Sequence, residues 1–202
     1  MTGRFIAFEG GEGSGKSTQA ARLAARLGAL LTHEPGDTPL GAAVRAVLLD
    51  AADLDITPRA EALLMAADRA QHVTEVIRPA LASGRTVVTD RFTPSSIAYQ
   101  GYGRQLDPRE VAELSAWATQ DLQPDLVLLL EVPLSVSQQR TGGARDLLEA
   151  AGPEFHRRVH DGSLQQAITD PERFAVIDGT EGEDAVADAV WQVVALRFPD
   201  LA

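Results

Sequence analysis

The residues best equipped for chemistry lie together at Gly10-Gly11-Glu12-Gly13-Ser14-Gly15-Lys16-Ser17-Thr18, which counts from Gly10 as G-x-x-x-x-G-K-S. Glycines at this spacing let a loop turn its backbone N–H groups inward and lead phosphates onto the positive end of a following helix. Lys16 then stands between the β- and γ-phosphates of a nucleotide, with the Ser17 hydroxyl on Mg²⁺. A glycine-rich turn without a ligand is the competing reading. It gives no reason for the apolar run Phe5-Ile6-Ala7-Phe8 before the loop or the Ala-, Leu- and Arg-rich helical sequence after it. A phosphate cradle requires both. Other charges fall where strands should end, at Asp90-Arg91 and at His33-Glu34, while Arg45 sits among apolar residues and Arg140 and Arg145 bracket a pair of glycines.

Holding these groups requires elements in a definite order. Ala20, Leu23, Ala24 and Leu27 recur at helical spacing, with Gly28 as the stop. Residues 29–32 read as a strand ending in His33-Glu34-Pro35-Gly36, and 40–49 as a short helix bearing Arg45. Thr57 as N-cap and Pro58 at the first helical position open a long helix to about residue 83, which Pro79 should end or kink. On it Leu64, Ala67 and Val73 are expected to face the core, with Met65, Arg69 and His72 on a neighbouring face. Thr86-Val87-Val88-Thr89 is a strand ending in Asp90-Arg91, followed by a polar, aromatic segment through Arg104. Asp107-Pro108 opens a helix, and Leu126-Val127-Leu128-Leu129-Leu130 is the most apolar run, expected near the sheet's centre. A helix beginning at Ser135 is broken by Thr141-Gly142-Gly143-Ala144-Arg145-Asp146, which suits a flexible lid at about residues 140–152. Helix, strand and helix follow at 153–168, 174–177 and 184–197.

Strands alternating with helices predict an α/β fold with three α/β/α layers around a central parallel five-stranded sheet, as one domain over residues 1–202. Ligands of such sheets bind beyond the carboxyl ends of the strands, where the charged residues fall. The 18 basic and 29 acidic residues give a net charge of −11, which argues against a partner gripped by a broad basic face, such as a nucleic acid polymer. The anionic ligand is then small and held by a few focused cations. With no cysteine there is neither a disulfide framework nor a thiolate metal site. No signal core or membrane-length apolar run is visible, so a cytoplasmic protein is expected.

Five blocks in order, Glu9 to Thr18, Glu34-Pro35-Gly36, Ala67-Asp68-Arg69-Ala70-Gln71, Asp90-Arg91-Phe92 and Ser95-Ser96-Ile97-Ala98-Tyr99-Gln100-Gly101, resemble those of the bacterial thymidylate kinases. The resemblance runs from Phe5 to about Ile177 and implies a P-loop kinase moving the γ-phosphoryl group of ATP to dTMP, with Mg²⁺, in a homodimer. By position, it implies that Arg91 clamps the acceptor phosphate and approaches the transferring group, Asp90 organises the metal, and Arg45 binds the dTMP phosphate. Glu12 is implied to reach the sugar 3′-hydroxyl and Arg69 to donate to thymine O4, with Ser96 and Gln100 on the base or its neighbours and Glu34 in the acceptor site. Tyr99 would fill the space of a 2′-hydroxyl, and Arg140 and Arg145 would fold over ATP. The bland readings are a surface ion pair for Asp90-Arg91, a snorkelling chain for Arg45, a packed ring for Tyr99 and a solvated loop for the lid arginines.

Met65 stands where the family usually has a phenylalanine stacked on thymine, and His33 replaces a common arginine. The stretch Asp146-Leu147-Leu148-Glu149 lacks the arginine often found there. His72 lies apart from other ligand-type residues, and His156 and His160, one helical turn apart, read as solvated. Two alternatives follow: a kinase for another deoxynucleotide or a deoxynucleoside, and a non-catalytic nucleotide-binding regulatory module.

Overall fold

The computed structural model describes residues 3–50, 54–141 and 152–201. In chain order it forms β1 (Phe5–Glu9), α1 (Lys16–Leu27), β2 (Leu30–His33), α2 (Pro39–Arg45), α3 (Pro58–His72), α4 (Arg78–Ala82) and β3 (Val87–Asp90). There follow α5 (Thr93–Ser96), α6 (Pro108–Thr119), β4 (Leu126–Glu131), α7 (Leu134–Thr141), α8 (Pro153–Thr169), β5 (Phe174–Asp178) and α9 (Glu183–Arg197). The strands make a five-stranded sheet in the order β2-β3-β1-β4-β5, every pair parallel. The expected architecture and layers are therefore present. The middle place goes to β1, and the more apolar β4 lies beside it.

Successive side chains of a strand point to opposite faces, and β1 is buried at all five positions. On one face Ile6 and Phe8 join Leu126, Leu128 and Leu130 beneath Leu23 of α1 and Val186, Val190 and Val194 of α9. On the other, Phe5 and Ala7 pack with Val73, Ile77, Val87, Phe92 and Val127. The register sets Phe8 against Asp90 and His33 against Asp90, so the loops leaving β1, β2 and β3 emerge side by side.

Local signals explain most element ends. Thr38 and Thr57 accept from the third amide of the helices they cap, and Asp107 from the second of α6, each with proline in the first turn. Gly28 ends α1 in the left-handed conformation.

The helical run opened by Pro58 continues to Ala82, close to its expected end, and a π-helical turn at Val73–Ile77 precedes Pro79 and takes up the misfit of its ring. One expectation is corrected. Ala67 is exposed, and the inward stripe of α3 is the polar one, with Met65, Asp68, Arg69 and His72 buried. That stripe walls the site. Residues 93–103, which the sequence marks only as polar and aromatic, are helical, with α5 continuing into a π-helical turn at Ile97–Gly103. A Cβ on Gly103 would lie 2.6 Å from the Phe155 ring and one on Gly162 2.5 Å from that of Tyr102, which shows how closely α8 is laid on this turn. No helix among the described residues is long and apolar enough to cross a membrane.

Candidate active site

The cradle forms where β1 runs into α1. Gly10, Gly13 and Gly15 all have positive φ (142°, 64° and 89°), and a Cβ on Gly10 would meet the Leu130 carbonyl oxygen at 2.5 Å, so side chains are excluded there by both strain and space. Ser14 Oγ donates to the Gly11 carbonyl at 2.8 Å. Helix α1 starts at Gly15 with no side-chain cap and no acidic residue in its first turn, leaving its positive end to the cavity. Lys16 is buried, and its Nζ donates to the Gly11 carbonyl at 2.6 Å and to Ser14 Oγ at 3.3 Å. Burial, reinforced by the nearby Arg91 charge, lowers its pKa from the usual 10.5 to about 7. Gly11 and Thr18 are exposed, while Glu12 is half-buried. Ser137 Oγ ties the start of α7 to the loop by donating to the Glu12 carbonyl at 2.6 Å.

Beside the cradle, Ser17 Oγ donates to Asp90 Oδ2 at 2.5 Å. The other oxygen, Asp90 Oδ1, is buried with no hydrogen-bond partner. An orphaned carboxylate oxygen next to a serine hydroxyl is a donor set suited to a hard divalent cation, which takes oxygen ligands.

Arg91 follows with φ 72°, a left-handed backbone that aims its side chain across the loop mouth. Its Nη1 donates to Ser95 Oγ at 3.1 Å and the Gly10 carbonyl at 3.4 Å, and its Nη2 to the Tyr99 hydroxyl at 3.1 Å. Burial opposes the charge, but Tyr99, Asp90 and Glu9 outweigh it and raise the guanidinium pKa. Burial likewise raises the pKa of Tyr99, against the lowering effect of Arg91.

Beneath Arg91 lies a residue whose role the sequence left unread. The buried carboxylate of Glu9 accepts from the Phe92 amide at 2.9 Å, the Ser95 amide at 3.3 Å and Ser95 Oγ at 2.6 Å. It thereby fixes the turn carrying Arg91. Burial pushes its pKa up to about 6 despite those donors. An acid closing an otherwise apolar strand just before the glycines was the available signal.

The far end is built from α3 and the π-helical turn. Arg69 Nε donates to Glu34 Oε2 at 2.7 Å, Nη1 to Ser96 Oγ at 3.0 Å and Nη2 to the Phe92 carbonyl at 3.2 Å. His72 is fully buried, with Nδ1 at 2.8 Å from Glu34 Oε1 and Nε2 at 2.5 Å from Thr32 Oγ1. It is thus no isolated histidine. Asp68 accepts from the Gly36 amide at 3.1 Å and pins the Glu34-Pro35-Gly36 turn to α3. Burial, with Glu34 adding to it, raises the Asp68 pKa to about 6. Met65 packs with Val44 and Leu48. Arg45, exposed at the rim, donates to the Pro35 carbonyl at 3.0 Å. Gln100 is buried and donates to Glu61 at 2.9 Å.

One cavity of about 560 Å³ joins these groups, lined by Glu12, Gly13, Lys16, Ser17, His33, Glu34, Arg45, Met65, Arg69, Asp90, Arg91, Ser96, Tyr99 and Gln100 among others. That volume is in the range of small-ligand sites. It has a phosphate-binding loop at one end, a mixed apolar and hydrogen-bonding slot at the other, and three arginines, Arg45, Arg69 and Arg91, in its walls. Arg140 lies apart, donating to the carbonyls of Gly13 at 3.4 Å, Gly179 at 2.8 Å and Thr180 at 3.0 Å, which ties α7 to the cradle and to the loop after β5. Arg145 and most of the expected lid lie outside the described residues. His160, expected to be solvated, is half-buried, with Nε2 at 3.1 Å from Glu131 Oε1.

Comparison with known proteins agrees with this geometry. The family model described as Thymidylate kinase matches residues 8–190. The chain is similar to the thymidylate kinase of Bifidobacterium longum (strain DJO10A), at 47% identity over 210 residues and 100% of each chain. It is 44% identical to that of Geotalea uraniireducens (strain Rf4), covering 98% of this chain and 99% of the relative. Among solved structures it resembles the crystal structure of thymidylate kinase from Ehrlichia chaffeensis, with a TM-score of 0.79, 34% identity, and coverage of 96% of this chain and 99% of that one.

Proposed function

The chain belongs to the thymidylate kinase family, and we propose that the cavity between the glycine loop and Gln100 is where it moves the γ-phosphoryl group of ATP onto dTMP, giving dTDP and ADP. The observation that carries the reading is the continuity of that cavity: Lys16 and Ser17 line one end, and Met65, Arg69, Ser96 and Gln100 the other, with Arg91 between. A donor triphosphate and an acceptor monophosphate placed in these two parts meet at Arg91.

Phosphoryl transfer needs little covalent help from the protein; it needs the two phosphates in line and the equatorial charge offset. In our reading the loop amides from Gly10 to Ser17 hold the β-phosphate, and Lys16 exchanges the Gly11 carbonyl for a phosphate oxygen. Arg91 spans the transferring group and the acceptor phosphate, its aim kept by Glu9, Ser95 and Tyr99. Arg45 holds the acceptor phosphate from the rim. Ser17 and Asp90 would hold Mg²⁺, which when bound offsets charge on the β- and γ-oxygens. Glu12 faces the acceptor sugar, and Tyr99 occupies the space beside it. Arg69 reads the O4 edge of thymine from a guanidinium that Glu34, in turn backed by His72, keeps oriented. Met65 lies against the ring. Arg140 acts from the donor side, and Arg145 with the lid at about residues 140–152 completes the one domain we assign to residues 1–202.

A homodimer is the assembly we favour. Between α3 and α6 lies a small apolar groove of about 210 Å³ lined by Ala62, Leu63, Leu106, Val111 and Leu114 among others, and nearby faces expose Leu63 at 59% and Trp117 at 80%. Large apolar side chains so exposed on neighbouring helices suit association.

The deciding measurement is ADP release in a coupled assay with dTMP, dUMP or thymidine as acceptor, for the wild type and Lys16→Ala. Turnover should be greatest with dTMP and should fall by about a thousandfold or more in the variant, with the thermal melt little changed. Turnover with thymidine equal to that with dTMP would remove the roles of Arg45 and Arg91. Unchanged turnover in Lys16→Ala would remove that of the cradle.

A further inference from the structure

Behind the base-binding slot stands a buried ion pair that the reaction as described does not use. Glu61, on α3, is 4% exposed and does not line the cavity, whereas Gln100, 1% exposed, does. Glu61 Oε1 accepts from Gln100 Nε2 at 2.9 Å. The same carboxylate is clamped by Arg104, with Nε at 3.2 Å and 3.0 Å from its two oxygens and Nη2 at 2.9 Å from Oε2. Arg104 is itself set by the end of the π-helical turn, where its amide bonds the Tyr99 carbonyl at 2.8 Å, and its guanidinium lies 4.9 Å from the Phe155 ring centre.

A glutamine amide turned end for end keeps its shape and exchanges a donor for an acceptor, so its own torsions hardly decide which end faces a ligand. A neighbour must decide. A carboxylate bound to arginine offers only acceptors; it takes the nitrogen end of Gln100 and is repelled by the oxygen end. We propose that Glu61, clamped by Arg104, is a positioning residue that sets the choice of acceptor base. It holds Gln100 with its carbonyl oxygen toward the ligand, where it accepts from the N3–H of thymine. Cytosine presents a lone pair at N3 and meets oxygen against nitrogen with no proton between them. The inference deepens the proposed function and rests on its reading that the acceptor base lies against Gln100.

The test is steady-state kinetics of the full chain with dTMP and dCMP. In Glu61→Gln the residue at 61 can donate as well as accept, so Gln100 is free to turn. The ratio of kcat/KM for dTMP to that for dCMP should fall by about tenfold or more, as expected when a buried acceptor no longer has one fixed orientation. KM for ATP should not change. In the exchange variant E61Q/Q100E, position 100 again offers only acceptors, and the preference for dTMP should return. An unchanged ratio in Glu61→Gln overturns the inference even if the variant melts earlier, since general loosening lowers both acceptors together. If Glu61→Gln does not fold, Arg104→Met serves: with the clamp gone the carboxylate loses its fixed place and charge, so the dTMP preference should fall in the same direction, and an unchanged ratio there would overturn the inference. Gln100→Ala isolates the underlying reading. An unchanged KM for dTMP in that variant would mean that the base lies elsewhere, and the acceptor-site assignment would fall instead.

Discussion

Lys16 is a cation held where burial works against its charge. With its pKa lowered to about 7, a substantial fraction of the free enzyme carries it neutral at pH 7–8, whereas a triphosphate at the cradle favours the charged form. Binding ATP should therefore take up protons in this range. The sign follows from linkage: KM for ATP should be flat below about pH 7 and rise above it, by up to about tenfold per pH unit, as the proton must be supplied on binding. Calorimetry in buffers of different ionisation enthalpy would register the uptake directly; a flat KM to pH 9 would mean that Lys16 stays charged throughout. At this scale the spacing of glycines, Lys16 and Ser17 was readable in the chain, and so were the charges closing β2 and β3. The supports were not. Glu61 and Gln100 are 39 residues apart and Glu34 and His72 are 38 apart, and such pairs leave no periodic trace. His72 looked isolated for that reason, and Glu9 looked like one more residue of the loop.

The elements were legible where a single signal dominated: the apolar runs of β1 and β4, the Thr57-Pro58 and Asp107-Pro108 caps, and the glycine after α1. They were less so where signals conflicted. Residues 92–104 combine Pro94, several polar groups and glycines at 101 and 103, a composition suited to a loop, yet they are helical because α8 covers them. Arg158 of α8 donates to the Gly103 carbonyl at 2.8 Å and 3.1 Å, and Phe155 and Val159 press on the place where Gly103 has no side chain. Tertiary packing here overrides local preference. Gly103→Ala would bring a Cβ to 2.6 Å from Phe155 and 2.8 Å from Val159, so it should destabilise the fold by about 1–3 kcal/mol. Because the displaced turn carries Tyr99 and Gln100, KM for dTMP should rise more than KM for ATP. Urea unfolding together with the two KM values checks both halves, and an unshifted midpoint would mean that the contact is slack.

For the molecule as a whole, a net charge of −11 and a cavity studded with arginines and a lysine describe a protein that repels polyanions at large while gathering small ones at one place. The α/β class and the parallel sheet followed from the alternation of strands and helices, whereas assembly did not, because the exposed Leu63 on α3 and Trp117 on α6 look in a sequence like ordinary members of an amphipathic face. If those faces join two copies, Leu63→Glu should give a monomer by analytical ultracentrifugation at concentrations where the wild type sediments as a dimer; a monomeric wild type would remove the dimer. Finally, Arg91 occupies a left-handed backbone site that costs a non-glycine residue about 1 kcal/mol or more. Glycine at that codon would relax the main chain and, in the same stroke, abandon the Tyr99 hydroxyl, Ser95 and the two carboxylates that the guanidinium now serves. The awkward bend endures because one cation answers to so many neighbours.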